Sequence, residues 1–159
     1  MSTQSPIAID TNLSETARFA VVAARFNAHL VDALLEGASR RFGQLGVSAD
    51  RIDVHRVPGA FELPLAAKAL ARTKRFAAVI CLGAVVRGDT PHFDYVAGEC
   101  ARGIAAVSLS EAIPVIFGVL TTNTEQQALD RIGGAHGHAG ERAAEAAVEM
   151  ATLLVTIGV

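Results

Sequence analysis

Phe76-Ala-Ala-Val-Ile-Cys-Leu-Gly-Ala-Val-Val-Arg-Gly-Asp-Thr-Pro-His-Phe-Asp94 is the stretch on which the fold turns. Its first half, Phe76 to Leu82, is a short continuous apolar run rich in Val and Ile, the signature of a strand covered on both faces. Gly83 follows it, then a segment of glycine and polar residues, then a helix beginning near Pro91, a residue suited to a first helical turn. A buried strand feeding a helix through a polar, glycine-bearing turn is half of a parallel βαβ unit.

The same alternation extends in both directions. Upstream, Phe19 to Ala24 is another short apolar run, and from Leu30 the period becomes helical, with Leu30, Leu34, Ala38, Phe42 and Leu45 at spacings of three and four until Gly46. Arg51 to Val57 alternates as a strand and closes on Pro58-Gly59, and Glu62 to Lys74 is helical again. Downstream, residues 113–120 form a fourth strand, and two helices follow, around 124–132 and 141–156. Strands alternating with helices require a parallel sheet with right-handed crossovers and helices on both faces. The expected architecture is therefore a single three-layer α/β/α domain spanning 18–159, preceded by a polar arm, 1–17, interrupted only by Ile7-Ala8-Ile9. In the last helix, Glu141, Glu145 and Glu149 form one narrow polar stripe on an otherwise apolar surface. That width suits either a deeply buried helix or a contact between subunits.

The chain has 159 residues, 51% hydrophobic, 19% charged and only 5% aromatic, with a net charge of -2. This length carries one domain with a sizeable aliphatic core, and the composition excludes intrinsic disorder. Near-neutral charge without a basic block leaves no electrostatic footprint for nucleic acid or anionic membrane. No basic leader opens the chain, and the longest apolar run is about half the ~20 residues a membrane span needs. Cys81 and Cys100 lie in apolar surroundings without CxxC spacing and read as reduced core thiols. The expected compartment is the cytoplasm.

In open α/β sheets ligands collect beyond the carboxyl ends of the strands, and those ends carry distinctive residues here. They are Arg25-Phe26-Asn27, Pro58-Gly59-Ala60-Phe61-Glu62, Gly83 to Asp94, and Thr121-Thr122-Asn123-Thr124-Glu125. Phe26 offers a flat face on which a planar heterocycle can stack, or it folds back into the core. Glu62 accepts hydrogen bonds from hydroxyls, or stabilises its own helix N-terminus. Gly88 allows a tight turn, Asp89 or Thr90 can cap the helix, and the exposed N–H groups there suit a phosphate; a capped helix alone also explains them. His92, in the first turn beside that site, is a candidate general acid/base. Thr122-x-x-Glu125 fits a capping box. His136-Gly-His138 offers only two histidines in a glycine-rich loop, a weak metal site.

Taken together, Ala24-Arg-Phe-Asn27, Val57-Pro-Gly-Ala-Phe-Glu-Leu-Pro64, Leu82 to Val96 and Phe117-Gly-Val-Leu-Thr-Thr122 follow one another as in the lumazine synthases. The sequence resembles that family from about residue 18 to its C-terminus. The resemblance implies a flavodoxin-like sheet and a transferase of riboflavin biosynthesis that condenses 5-amino-6-(D-ribitylamino)uracil with 3,4-dihydroxy-2-butanone 4-phosphate. It implies no metal and no organic cofactor. It also implies a homo-pentamer, in many members twelve pentamers closing into a sixty-subunit icosahedral shell, with active sites between neighbouring subunits and riboflavin synthase as the natural recipient of product.

Carried over by motif, Phe26 would stack on the pyrimidine with Asn27 beside it, and Ala60 and Glu62 would meet the ribityl chain. Ala84, Val85 and Val86 would present backbone groups to the heterocycle. Gly88, Asp89 and Thr90 match the phosphate turn, and His92 the proton-transfer residue. From the adjacent subunit, Phe117 would close the pocket and Arg131 would bind phosphate. One departure stands out. The family usually carries a lysine before a glycine in the loop after Arg131, where this chain has Ala139, so either His138 beside it replaces the lysine or substrate affinity is reduced. Ala139 also keeps open a second reading, a shell-forming paralogue that holds a flavin or lumazine with little turnover.

Overall fold

Every residue of the first strand, β1 (Phe19–Ala24), is buried, because side chains on both of its faces meet helices. The computed structural model describes residues 13–159; most of the expected N-terminal arm, including Ile7-Ala8-Ile9, lies outside the described residues. Along β1 the two-residue period of a strand sorts side chains between two cores. Phe19, Val21 and Ala23 pack with α1 (Ala28–Gln44) and α5 (Ala139–Ile157). Ala20 and Val22 pack with α2 (Leu63–Arg72) and α3 (His92–Glu111). A run that alternates in neither direction is thus what two-sided covering demands of a strand.

The remaining strands are β2 (Ile52–Val57), β3 (Ala78–Val86) and β4 (Val115–Thr122), in the all-parallel order β2-β1-β3-β4. The chain leaves β1 toward β2, then crosses back to β3, so the strand order reverses between β1 and β3. This is a three-layer α/β/α sandwich with a flavodoxin-like sheet, as expected from the alternation of elements. After β4 come a short helix, α4 (Glu125–Leu129), and a small antiparallel pair, β5 (Ile132–Gly134) and β6 (Gly137–His138). No helix among the described residues is long and apolar enough to cross a membrane.

The α1–α5 contact explains the spacing of both helices. Leu30, Leu34, Ala38 and Phe42 form the buried stripe of α1, and Phe42 meets Phe19 with ring centroids 5.0 Å apart. Gly140 lets the start of α5 approach α1 so closely that a Cβ there would lie 2.0 Å from the Leu34 carbonyl oxygen. The glutamate stripe of α5 lies along this seam: Glu141 accepts from Arg40 and Glu145 from Arg41, each at 2.7 Å.

Three local details differ from the sequence expectation. First, β3 runs past Gly83 to Val86, paired with β4 up to Val86–Thr122. Gly83 is an interior strand residue where Leu63 packs close, a Cβ there lying 3.2 Å from Leu63 Cδ1, so it marks a near approach and not a stop. Second, the cap of α4 is Thr124, whose hydroxyl accepts from Gln127 N–H at 3.2 Å, while Gln127 Oε1 accepts from Asn123 N–H at 2.8 Å. Thr124 is thus the capping residue, with Gln127 reaching back one residue before it, and Thr122 instead donates its hydroxyl to the Thr124 carbonyl. Third, the glycine-rich stretch after Arg131 is the β5–β6 hairpin, and the preceding helix is shorter than 124–132.

Candidate active site

A cavity of about 680 Å³ opens at the carboxyl ends of β1, β2 and β3, on the α2–α3 side, where the strand order reverses. This is the position at which doubly wound sheets collect ligands. Each wall is set by a short piece of local structure.

The β1 tip supplies Phe26, 70% exposed over the cavity. The loop holding it is tied to β2 by Arg25 N–H to Val57 O (2.8 Å) and Phe26 N–H to Pro58 O (3.1 Å). Asn27 adopts the left-handed conformation (φ 57°, ψ 46°), which asparagine tolerates better than most residues. Its side-chain N–H donates to the Ala84 carbonyl at 2.9 Å. Asn27 therefore does not line the cavity; it pins the β1 tip to β3 and fixes the pose of Phe26.

Past β2, a single 3-10 turn (Ala60–Glu62) places buried Ala60 at the floor and Phe61 and Glu62 at the rim. The Glu62 carboxylate folds back beside Gly59 and has no ion-pair or hydrogen-bond partner among the described residues. An acceptor held without a partner at a cavity wall is available to hydroxyl donors.

Past β3, Ala84, Val85, Val86, Gly88 and Thr90 continue the wall into α3, where His92, Phe93, Tyr95 and Val96 face the same space. Thr90 Oγ1 accepts from His92 N–H at a long 3.5 Å, and Asp89 neither caps the helix nor lines the cavity. The corner is braced from behind by Arg87. Its guanidinium lies 4.3 Å from the Phe93 ring centre and donates to Asn123 Oδ1 at 3.0 Å and to Asp94 Oδ1 at 3.2 Å. One cation thus joins the ends of β3 and β4 to the first turn of α3.

The cavity brings together Phe26, Ala60, Glu62, Ala84, Val85, Val86, Gly88, Thr90 and His92. It also contains residues to which the sequence reading gave no role: Phe61 (58% exposed), Phe93, Tyr95 (70% exposed) and Val96. Tyr95 and Val96 stand three and four residues beyond His92, so helical spacing from His92 was the signal that would have found them. Phe117, Arg131, His138 and Ala139 do not line it. Phe117 projects, 43% exposed, from the edge strand β4, and Arg131 follows α4, donating to the Gln127 carbonyl at 2.8 Å. His138 turns inward. Its Nδ1 accepts from Gly140 N–H at 3.2 Å, and burial, the chief cause, pulls its pKa below the ordinary histidine value. The thiols are remote from chemistry as well: burial raises Cys81 far above the usual range and pushes Cys100 up to about 11, so both stay protonated.

The cavity thus combines an exposed aromatic face, an unpartnered carboxylate, strand-end backbone and a glycine turn beside a histidine. Residues 16–155 match the family model described as 6,7-dimethyl-8-ribityllumazine synthase.

Proposed function

The chain belongs to the 6,7-dimethyl-8-ribityllumazine synthase family, and from that premise we propose that it condenses 5-amino-6-(D-ribitylamino)uracil with 3,4-dihydroxy-2-butanone 4-phosphate. The products are 6,7-dimethyl-8-ribityllumazine, phosphate and water. The observation that carries this reading is the convergence, in one cavity, of Phe26, Glu62 and the Gly88–His92 corner from three different strands. The pyrimidine stacks on Phe26 with its edge toward the backbone of Ala84, Val85 and Val86. The ribityl hydroxyls donate to Glu62 over Ala60. The phosphate lies at Gly88 and Thr90, where α3 begins and its N–H groups favour an anion.

Chemistry then proceeds by attack of the uracil's 5-amino group on the ketone, with loss of one water to give an imine. Elimination expels phosphate, and the ribitylamino nitrogen closes the ring with loss of a second water. Every stage moves a proton between neighbouring atoms, for which His92 is the shuttle. Holding the two reactants in contact supplies much of the remaining acceleration.

Phe117 and Arg131 complete the site from a neighbouring subunit of a homo-pentamer. The exposed Leu65, Leu109 and Phe117 on α2, α3 and β4 support such an assembly, since apolar side chains of this size gain most when covered. Whether pentamers close into a shell, and whether riboflavin synthase receives the product, belong to the same proposal. Compartment follows from it too, as a cytoplasmic step.

The test is a turnover assay with both substrates, following lumazine absorbance and phosphate release against an uncatalysed control. Enzyme-dependent formation of both products is expected. Absence of acceleration, together with tight lumazine or flavin binding, would replace this reading by the paralogue that Ala139 suggests.

A further inference from the structure

The connection between α4 and α5 carries Arg131 at one end and His138 at the other. Ile132 pairs with His138 across β5 and β6, and Ala139 N–H donates to the Arg131 carbonyl at 2.7 Å, so Arg131 and His138 are tied through each other's chain neighbours. The imidazole then lies in a slot on α1. A Cβ on Gly37 would fall 2.0 Å from its Cε1, 2.4 Å from Nδ1 and 2.6 Å from Nε2, so the ring occupies the space that any other residue at position 37 would fill. Nδ1 also accepts from Gly140 N–H and caps α5. An acceptor Nδ1 places the proton of the neutral ring on Nε2. One side chain therefore joins three things: the slot in α1, the first turn of α5 and the hairpin whose other end bears Arg131.

We propose that His138 is a positioning residue for Arg131: its ring, seated over Gly37, fixes the hairpin and hence the direction in which the guanidinium is presented to the phosphorylated substrate of the neighbouring subunit. This rests on the reading of Arg131 as a phosphate ligand. It also gives His138 a role other than replacing the lysine absent at Ala139, because a ring turned into the slot cannot reach across an interface. The hairpin's other holds are Ile132, partly buried against the α1–α5 core, and two hydrogen bonds at its turn, Arg142 Nη1 to the His136 carbonyl at 3.1 Å and His136 N–H to the Asp130 carbonyl at 2.8 Å, while Gly133, Gly134 and Gly137 carry no side chain to pack.

The experiment measures kcat and both KM values on the assembled enzyme for Arg131→Ala, His138→Ala, His138→Asn and Gly37→Ala, with thermal midpoints alongside. Arg131→Ala should raise KM for the phosphorylated ketone roughly 10- to 100-fold, the scale of a lost charge-assisted bond. His138→Ala and Gly37→Ala should raise the same KM about tenfold, within what a displacement near 1 Å can cost, with KM for the pyrimidine unchanged. Inhibition by inorganic phosphate should weaken in parallel. His138→Asn keeps an acceptor for Gly140 N–H but not the ring, so it should recover thermal midpoint and retain the KM defect. It decides the matter if the other two variants fail to assemble. Normal KM in His138→Asn would overturn the proposal, as would Arg131→Ala raising the ketone KM while the His138 and Gly37 variants leave it alone. If Arg131→Ala itself leaves that KM unchanged, Arg131 is no phosphate ligand and the inference falls with that assignment, whatever the turnover assay gives.

Discussion

The corner between β3 and α3 and the hairpin between α4 and α5 both carry residues assigned to phosphate, yet they are held in opposite ways. At the corner, Arg87 reaches outward to Phe93, Asp94 and Asn123, so three elements are cross-braced by exposed contacts over a half-buried strand end. In the hairpin the brace points inward: one imidazole fills a gap left by one glycine, Ile132 packs against the core, and three of the hairpin's residues, Gly133, Gly134 and Gly137, have no side chain. The first arrangement tolerates loss of any single contact, since each exposed pair contributes little. The second depends on a close fit, where a single added methyl group acts on the whole connection. Rigidity at a site can thus come from redundancy or from shape.

The largest effect should arise at the corner, from chemistry and not from stability. His92→Ala is expected to lower kcat by about 10²- to 10⁴-fold, the range for removing a general acid/base, with the thermal midpoint near that of the parent, because His92 is exposed. Steady-state kinetics with lumazine absorbance reads this directly, and unchanged kcat would remove His92 from the mechanism. Next in size is a change that tests shape. Gly140→Ala sets a Cβ 2.0 Å from the Leu34 carbonyl oxygen, a backbone atom that cannot swing aside. It should destabilise the fold by about 1–3 kcal/mol, as overpacking does, whereas Gly37→Ala meets only a side chain and should cost less. Denaturant midpoints for the two variants check the order; equal costs would mean that the α1–α5 seam yields as easily as the ring. Third is Arg87→Met, which keeps a stem over Phe93 and removes the charge. A loss of about 1–2 kcal/mol is expected for one exposed cation–π contact together with two exposed hydrogen bonds, with kcat reduced severalfold through His92 and KM for the pyrimidine unchanged. A kcat equal to the parent would show that the corner holds its shape without the brace.

How far the sequence discloses these regions follows from the same contrast. β1 and the Leu30–Phe42 stripe are legible because period reports covering: two covered faces give an unbroken run, one covered face gives spacings of three and four. The convergence of Phe26, Glu62 and His92 is legible because parallel topology alone puts their loops on one edge. Gly83 misleads, since a glycine that permits Leu63 to approach looks the same in sequence as one that ends a strand. Asn27 misleads similarly: its neighbourhood to Phe26 suggests a ligand contact, but its amide is spent on the Ala84 carbonyl. The capping residue of α4 shifts from Thr122 to Thr124 because β4 runs two residues beyond its expected end. The Gly37–His138 fit has no sequence signal, since the partners are far apart and the motif that contains His138 suggests a metal ligand or a substitute for the lysine, not a ring seated on a distant helix.

The smallest effect is a dependence on pH that distinguishes the two regions. Burial of the His138 ring, partly opposed by Glu141 and reinforced by Arg40 and Arg142, lowers its pKa in the folded protein below the ordinary 6.5. The unfolded chain therefore binds the proton first, and stability rises with pH wherever that is so. The contribution of His138 is fully present above about 6.5 and is lost as pH falls below it toward the folded-state value. Protonation of the folded ring, which comes lower, at its depressed pKa, removes the acceptor at Nδ1 and with it the cap on Gly140 N–H. Thermal midpoints taken between pH 7.5 and 5 should fall more steeply for the parent than for His138→Asn, whose amide keeps an acceptor at every pH. KM for the phosphorylated ketone should rise in the parent only as the folded ring itself takes a proton, at the acid end of any range that reaches that point, and be flatter in the variant once the substrate's own titration is subtracted. Parallel curves for the two proteins would mean that the ring can take a proton without leaving its slot, and that Ile132 and the hydrogen bonds at the turn suffice to keep the hairpin's shape.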